Sequence, residues 1–178
     1  MAEIKSAVEL AMERTKGLRL SHEEKEKLKE EEVHSKARSL VNRYLEVDFH
    51  LREVEKEIDR VDPTQRQHLQ DLFLQYLTEA IGLDRDNDLI FQGIESYRRG
   101  SKNAIQKMED LIQRYQQEKG RKYSKAEKDL LSQLERRGIS GSAVQPKVEG
   151  SPEWEEALAK FKPALEEELN KLRKAIEK

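Results

Sequence analysis

A chain of 178 residues with 39% charged and 35% hydrophobic side chains has too little apolar material for a thick, layered core. With 34 basic and 36 acidic side chains the net charge is −2, so no global field draws it to nucleic acid or to an anionic membrane. There is no cysteine, which excludes disulfides, thiolate metal sites and cysteine nucleophiles, and no apolar run approaches the roughly 18 residues needed to cross a bilayer.

What such a composition can build is long helices, each with one apolar stripe and a solvated remainder. The first is predicted over 2–16, with Ile4, Ala7, Val8, Ala11 and Met12 on one face and Gly17 as its left-handed stop. The stretch 1–10 alternates charged with apolar residues and lacks the continuous apolar centre of a signal peptide, so a cytoplasmic protein is expected. Ser21 and Glu24 then form a capping box that opens the longest predicted helix, 22–61. Its apolar positions Val33, Ala37, Leu40, Tyr44, Val47, Leu51, Val54, Ile58 and Val61 alternate spacings of four and three, the seam of helices packing side by side. Val41, Leu45 and Phe49 add a second stripe, which calls for a second neighbour.

Asp62-Pro63 stops that helix and starts the next, 63–81, because aspartate caps a helix and proline fits its first turn. Leu69, Leu72, Phe73, Tyr76, Leu77, Ala80 and Ile81 mark its buried side, and Gly82-Leu83 its end. A helix over 88–119 follows, with Ile90, Ile94, Tyr97, Ser101, Ala104, Met108, Leu111 and Tyr115 again at the four-three spacing. Gly93 and Gly100 lie seven apart on one edge of it, either admitting a close neighbour or tolerated on a solvated face. Gly120 is expected to end it, and Ser124 with Glu127 to open a short helix over 125–137 that stops at Gly138. The composition of 139–150 is that of a flexible linker. Ser151-Pro152 caps an amphipathic C-terminal helix over 151–178, expected to kink at Pro163. Short connections make consecutive helices antiparallel. The expected fold is all-α, an elongated antiparallel bundle of about six helices with coiled-coil-like packing, its bundle in 1–138.

Four motifs bear on function. Asp84, Asp86, Asp88 and Glu95 occupy the first, third, fifth and twelfth places of a calcium loop, but the sixth place, which needs glycine, is Leu89. The bland reading is that Asp86 and Asp88 cap the next helix. Glu31 and His34 have the Glu-x-x-His spacing of di-iron bundles, without the second pair such a site requires, and His50 sits between Glu46 and Glu53 at helical spacing, where a surface ion pair is the simpler account. Arg114, Lys119, Arg121, Lys122 and Lys125, interleaved with Tyr115 and Tyr123, could meet a polyanion. They lie in a segment, 98–137, with 12 basic and 6 acidic side chains, a net of +6.

The fourth feature is the C-terminal stripe of Trp154, Leu158, Phe161 and Leu165, which must cover something. It docks on its own bundle or enters a groove on a partner. No nucleophile elbow, phosphate-binding loop or dinucleotide turn is present, so no catalytic residue and no cofactor is assigned, and no small-molecule substrate is expected. The reading is a non-catalytic helical scaffold or adaptor that binds another protein or itself. A calcium-responsive module and a weak nucleic-acid or polyanion binder are the alternatives.

Overall fold

The computed structural model describes residues 21–46, 49–98 and 100–177, and in these the chain is all-α, with six helices and no strand. They are α1 (His22–Tyr44), α2 (Leu51–Asp59), α3 (Pro63–Glu79), α4 (Asp88–Tyr97), α5 (Lys102–Arg136) and α6 (Pro152–Glu177). The helix expected over 2–16 and seam position Val47 lie outside the described residues. None of the described helices is long and apolar enough to cross a membrane. The chain divides into two compact units, 1–73 and 74–178.

In the first unit α1 starts at the expected capping box: Ser21 Oγ accepts from the Glu24 amide at 3.1 Å, and the Ser21 amide donates to the Glu24 carboxylate at 2.7 Å. The charged first turns are exposed, and burial begins at Val33, continuing through Ala37, Leu40, Val41 and Tyr44. The single helix expected over 22–61 is instead two. After Tyr44 the chain tightens, with the Glu46 amide donating to the Arg43 carbonyl, and Phe49 lies 4.0 Å under the Arg43 guanidinium. That cation–π contact favours this end of α1, which has no glycine or proline at its close. Helix α2 restarts at the His50 carbonyl, which accepts from Glu53 and Val54, and of the expected seam positions after the break Val54 and Ile58 are buried. Asp62 then caps α3 as expected, its Oδ1 accepting from the Thr64 amide at 2.9 Å and hydroxyl at 2.7 Å. Within this unit Leu69 and Phe73 are fully buried, and Phe73 meets Tyr44 edge-on at 5.9 Å.

In the second unit the helix expected over 88–119 is interrupted, and what was expected to interrupt it further on does not. Arg98 adopts an extended conformation, and the Ser101 hydroxyl donates to its carbonyl at 2.7 Å, which separates α4 from α5. Gly100 lies in that break with open space where a Cβ would project, and none of the described residues approaches it closely there; Gly93 is buried on α4. Helix α5 then runs through Gly120 and Ser124 for 35 residues, about 50 Å at ~1.5 Å per residue. The reason is one buried face: Met108, Leu111 and Tyr115 before the glycine and Ala126 after it. Packing along that face outweighs the ~1 kcal/mol that a helical glycine costs. The helix ends where expected. Gly138 has φ +77°, and the amides of Gly138 and Ile139 donate to the carbonyls of Glu135 and Leu134, the Schellman closure.

Residues 139–150 contain no helix or strand, but this connection is anchored at its far end. Val148 is 1% exposed and clusters with Ala126 and Trp154, flanked by Tyr123, Leu130 and Leu158. Ser151 caps α6, accepting from the Trp154 amide. Helix α6 is a single helix from Pro152 to Glu177 with Pro163 inside it. Trp154 and Phe161 before the proline and Leu169 and Ile176 after it are buried or in ring contact, so packing on both sides offsets the missing N–H.

Candidate interaction surface

Helices α5 and α6 run antiparallel, since partners further along α6 lie further back along α5. Gln133 donates to Glu153 at 2.9 Å, Tyr123 meets Trp154 edge-on at 5.4 Å, Tyr115 lies 5.8 Å from Phe161, and Arg114 pairs with Glu168 at 2.7 Å. The stripe predicted for a partner is therefore turned towards its own chain. Trp154 is 4% exposed, and Leu158, Phe161 and Leu165 are partly buried.

Asp84 fastens this hairpin. Its two oxygens accept the Tyr115 hydroxyl at 2.8 Å each; Lys119 lies 2.6 Å from Oδ1 and Lys162 2.8 Å from Oδ2. Burial pushes the Asp84 carboxyl up, but the hydrogen bonds from Lys119, Lys162 and Tyr115 outweigh it and hold the group at about 2. The Tyr115 phenol, fully buried and facing that carboxylate, is pushed up by burial first and by Asp84 second. Two further links tie the same loop to the hairpin: Gln116 donates to the Leu83 carbonyl at 2.9 Å, and Arg173 donates to that of Ile81.

This arrangement departs from the calcium-loop pattern. Asp84 is engaged by two ammonium groups and a phenol, Asp86 accepts from the Asp88 amide at 3.0 Å, and Asp88 begins α4, so Glu95 lies two turns along a helix. The loop is organised by Asn87, which sequence reasoning passed over. Its side chain is buried, accepts from the Gly82 amide at 2.9 Å, and donates to the carbonyls of Gly82 and Arg85 at 2.8 and 3.0 Å. Among the described residues, the histidine and acidic side chains that converge as a ligand set are elsewhere: Glu30, His34 and His68, in the first unit.

The five cations predicted for a polyanion divide into two groups. Arg114, Lys119 and Lys122 pair with Glu168, Asp84 and Glu118. Arg121 and Lys125 are exposed and, with Lys128, make no ion pair among the described residues. Spaced four and three apart, they share one edge of α5 and line a shallow hollow with Gly120 and Ser124. No family model matches the chain, and neither a curated protein nor a solved structure does.

Proposed function

We propose that the chain is a non-catalytic, cytoplasmic helical scaffold that binds the acidic surface of another protein, or of a second copy, through the outer edge of α5. The single observation that carries this reading is the row Arg121, Lys125 and Lys128, without anionic partners among the described residues while the neighbouring Arg114, Lys119 and Lys122 are engaged within the chain. Aligned cations on a firmly held helix give orientation and fast encounter more than raw affinity. The apolar residues of the hairpin support the same reading. Tyr115 and Tyr123 of α5 meet Phe161 and Trp154 of α6, which would stiffen the edge and leave polar contact as its means of recognition.

The test is the triple variant Arg121→Glu, Lys125→Glu, Lys128→Glu. It should keep the wild-type helicity, because all three side chains are exposed, yet lose the salt-sensitive protein partners cross-linked to α5 in the wild type, or the salt-sensitive dimer seen by light scattering. Unchanged partners in the variant would remove the basis for this reading. The same row also supports the polyanion alternative. Salt-dependent retention on heparin that the triple variant loses, together with partners that vanish on nuclease treatment, would favour that reading instead.

A further inference from the structure

We propose that Glu30, His34 and His68 form a binding site for a divalent transition-metal ion, zinc above all. Helix α1 carries Glu30 and His34 four residues apart, hence on one face a single turn apart. Helix α3 brings His68 to that face from 34 residues further along the chain. The supports beneath both histidines are firm: Val33, next to His34, is 6% exposed, and Leu69, next to His68, is fully buried.

The Glu30 Oε1 atom lies 2.8 Å from His68 Nε2 and 3.2 Å from His34 Nε2. The two imidazoles stand edge to face, their centroids 6.2 Å apart, and one ligand atom from each of the three residues lies within 4.8 Å of the other two. Zinc bonds nitrogen and carboxylate oxygen at about 2.0–2.2 Å, which sets tetrahedral ligand atoms about 3.3 Å apart. Two of the separations are already at that scale, and a modest rotation of partly exposed rings closes the third.

Two imidazoles and one carboxylate make a borderline donor set. It suits zinc, nickel or copper, whereas calcium and magnesium take oxygen ligands in larger number. Metal binding would replace the hydrogen bonds at Glu30. Each histidine must present an Nε2 lone pair, so its remaining proton sits on Nδ1, and any excess proton passes to solvent. With side chains 53%, 36% and 43% exposed, a hydrated ion can reach the three ligands, and water completes its coordination. The ion would clasp the charged first half of α1 to α3. It would act by mass action, stabilising the folded first unit because the unfolded chain holds no such cluster. This inference stands independently of the scaffold reading.

The experiment is calorimetric titration of zinc chloride into the full-length protein after chelator treatment and dialysis, with calcium chloride as control and thermal melting alongside. One zinc per chain is expected, with a raised melting temperature and no response to calcium. Glu30→Gln, His34→Gln and His68→Gln should each weaken binding at least ~10-fold, the loss that even an outer partner of a metal ligand can bring. His22→Gln and His50→Gln should bind as the wild type does. In the wild type itself, paramagnetic cobalt should selectively broaden the His34 and His68 imidazole resonances, a readout that no variant's folding can confound. Absence of stoichiometric zinc binding, broadening confined to His22 or His50, or zinc binding undiminished by His68→Gln would overturn the proposal.

Discussion

At the scale of the residue, Asp84 organises the second unit, and it should be visible in the pH dependence of stability. Its carboxyl is held at about 2 in the folded chain, against about 3.9 for an unperturbed aspartate, so folding favours the ionised form. The stabilisation is in full force above pH ~4 and is lost as pH falls towards 2. Asp84→Asn should lower stability to urea at neutral pH by about 1 kcal/mol, a modest figure because the carboxylate and both ammonium groups remain about a third exposed. The variant should also flatten the acid limb between pH 4 and 2; an unaltered limb would show that the hub contributes nothing. At the alkaline end the sign is opposite. Tyr115 is raised, so its stabilisation is present below pH ~10 and fades above it. The sequence offered Asp84 as a candidate calcium ligand and gave no sign of the partners it has in the fold. Its partners Lys119 and Lys162 stand 35 and 78 positions away, and no local spacing announces such a meeting. His68 was passed over for the same reason: its glutamate lies on another helix, 38 positions earlier.

At the scale of the element, apolar periodicity was a better guide to burial than to where helices begin and end. Val33, Ala37, Leu40, Tyr44, Val54 and Ile58 are buried as their spacing requires, although the helix that carries them breaks after Tyr44. Arg43 and Phe49 meet across the break, a contact that residue composition does not announce. Boundaries with side-chain or backbone chemistry of their own, the starts at Ser21 and Asp62 and the stop at Gly138, were legible because the group that caps each helix is in the local sequence. Gly120 misled because a glycine's preference is worth only ~1 kcal/mol, less than the face that continues past it. It is helical, exposed, and has open space around a notional Cβ. Gly120→Ala should therefore stabilise the protein by about 1 kcal/mol in urea denaturation. A destabilising result would mean that α5 bends or opens there.

At the scale of the whole chain, the all-α class followed from composition and stripe spacing, while the candidate surface did not. An excess of positive charge over 98–137 was countable in the sequence, but which cations remain available depends on where Glu168, Asp84 and Glu118 end up. Only folding subtracts the engaged from the available. The Asn87 loop was hidden in the same way, its asparagine reading as one more polar letter among aspartates until its three hydrogen bonds are seen.

The connection before α6, exposed over most of its length and anchored only at Val148, has a practical corollary. Severing the backbone between Ser142 and Ala143, through an inserted protease site, should leave the two fragments associated. They should co-elute on size exclusion and part only in denaturant, because Trp154, Leu169 and Ile176 are already seated and Asp84 and Arg114 reach across to Lys162 and Glu168. Fragments that drift apart in plain buffer would show that the peptide tether, and not the seating, keeps the last helix in place. If they stay joined, the protein is a natural split pair, whose reassembly could be followed through the fluorescence of its single tryptophan.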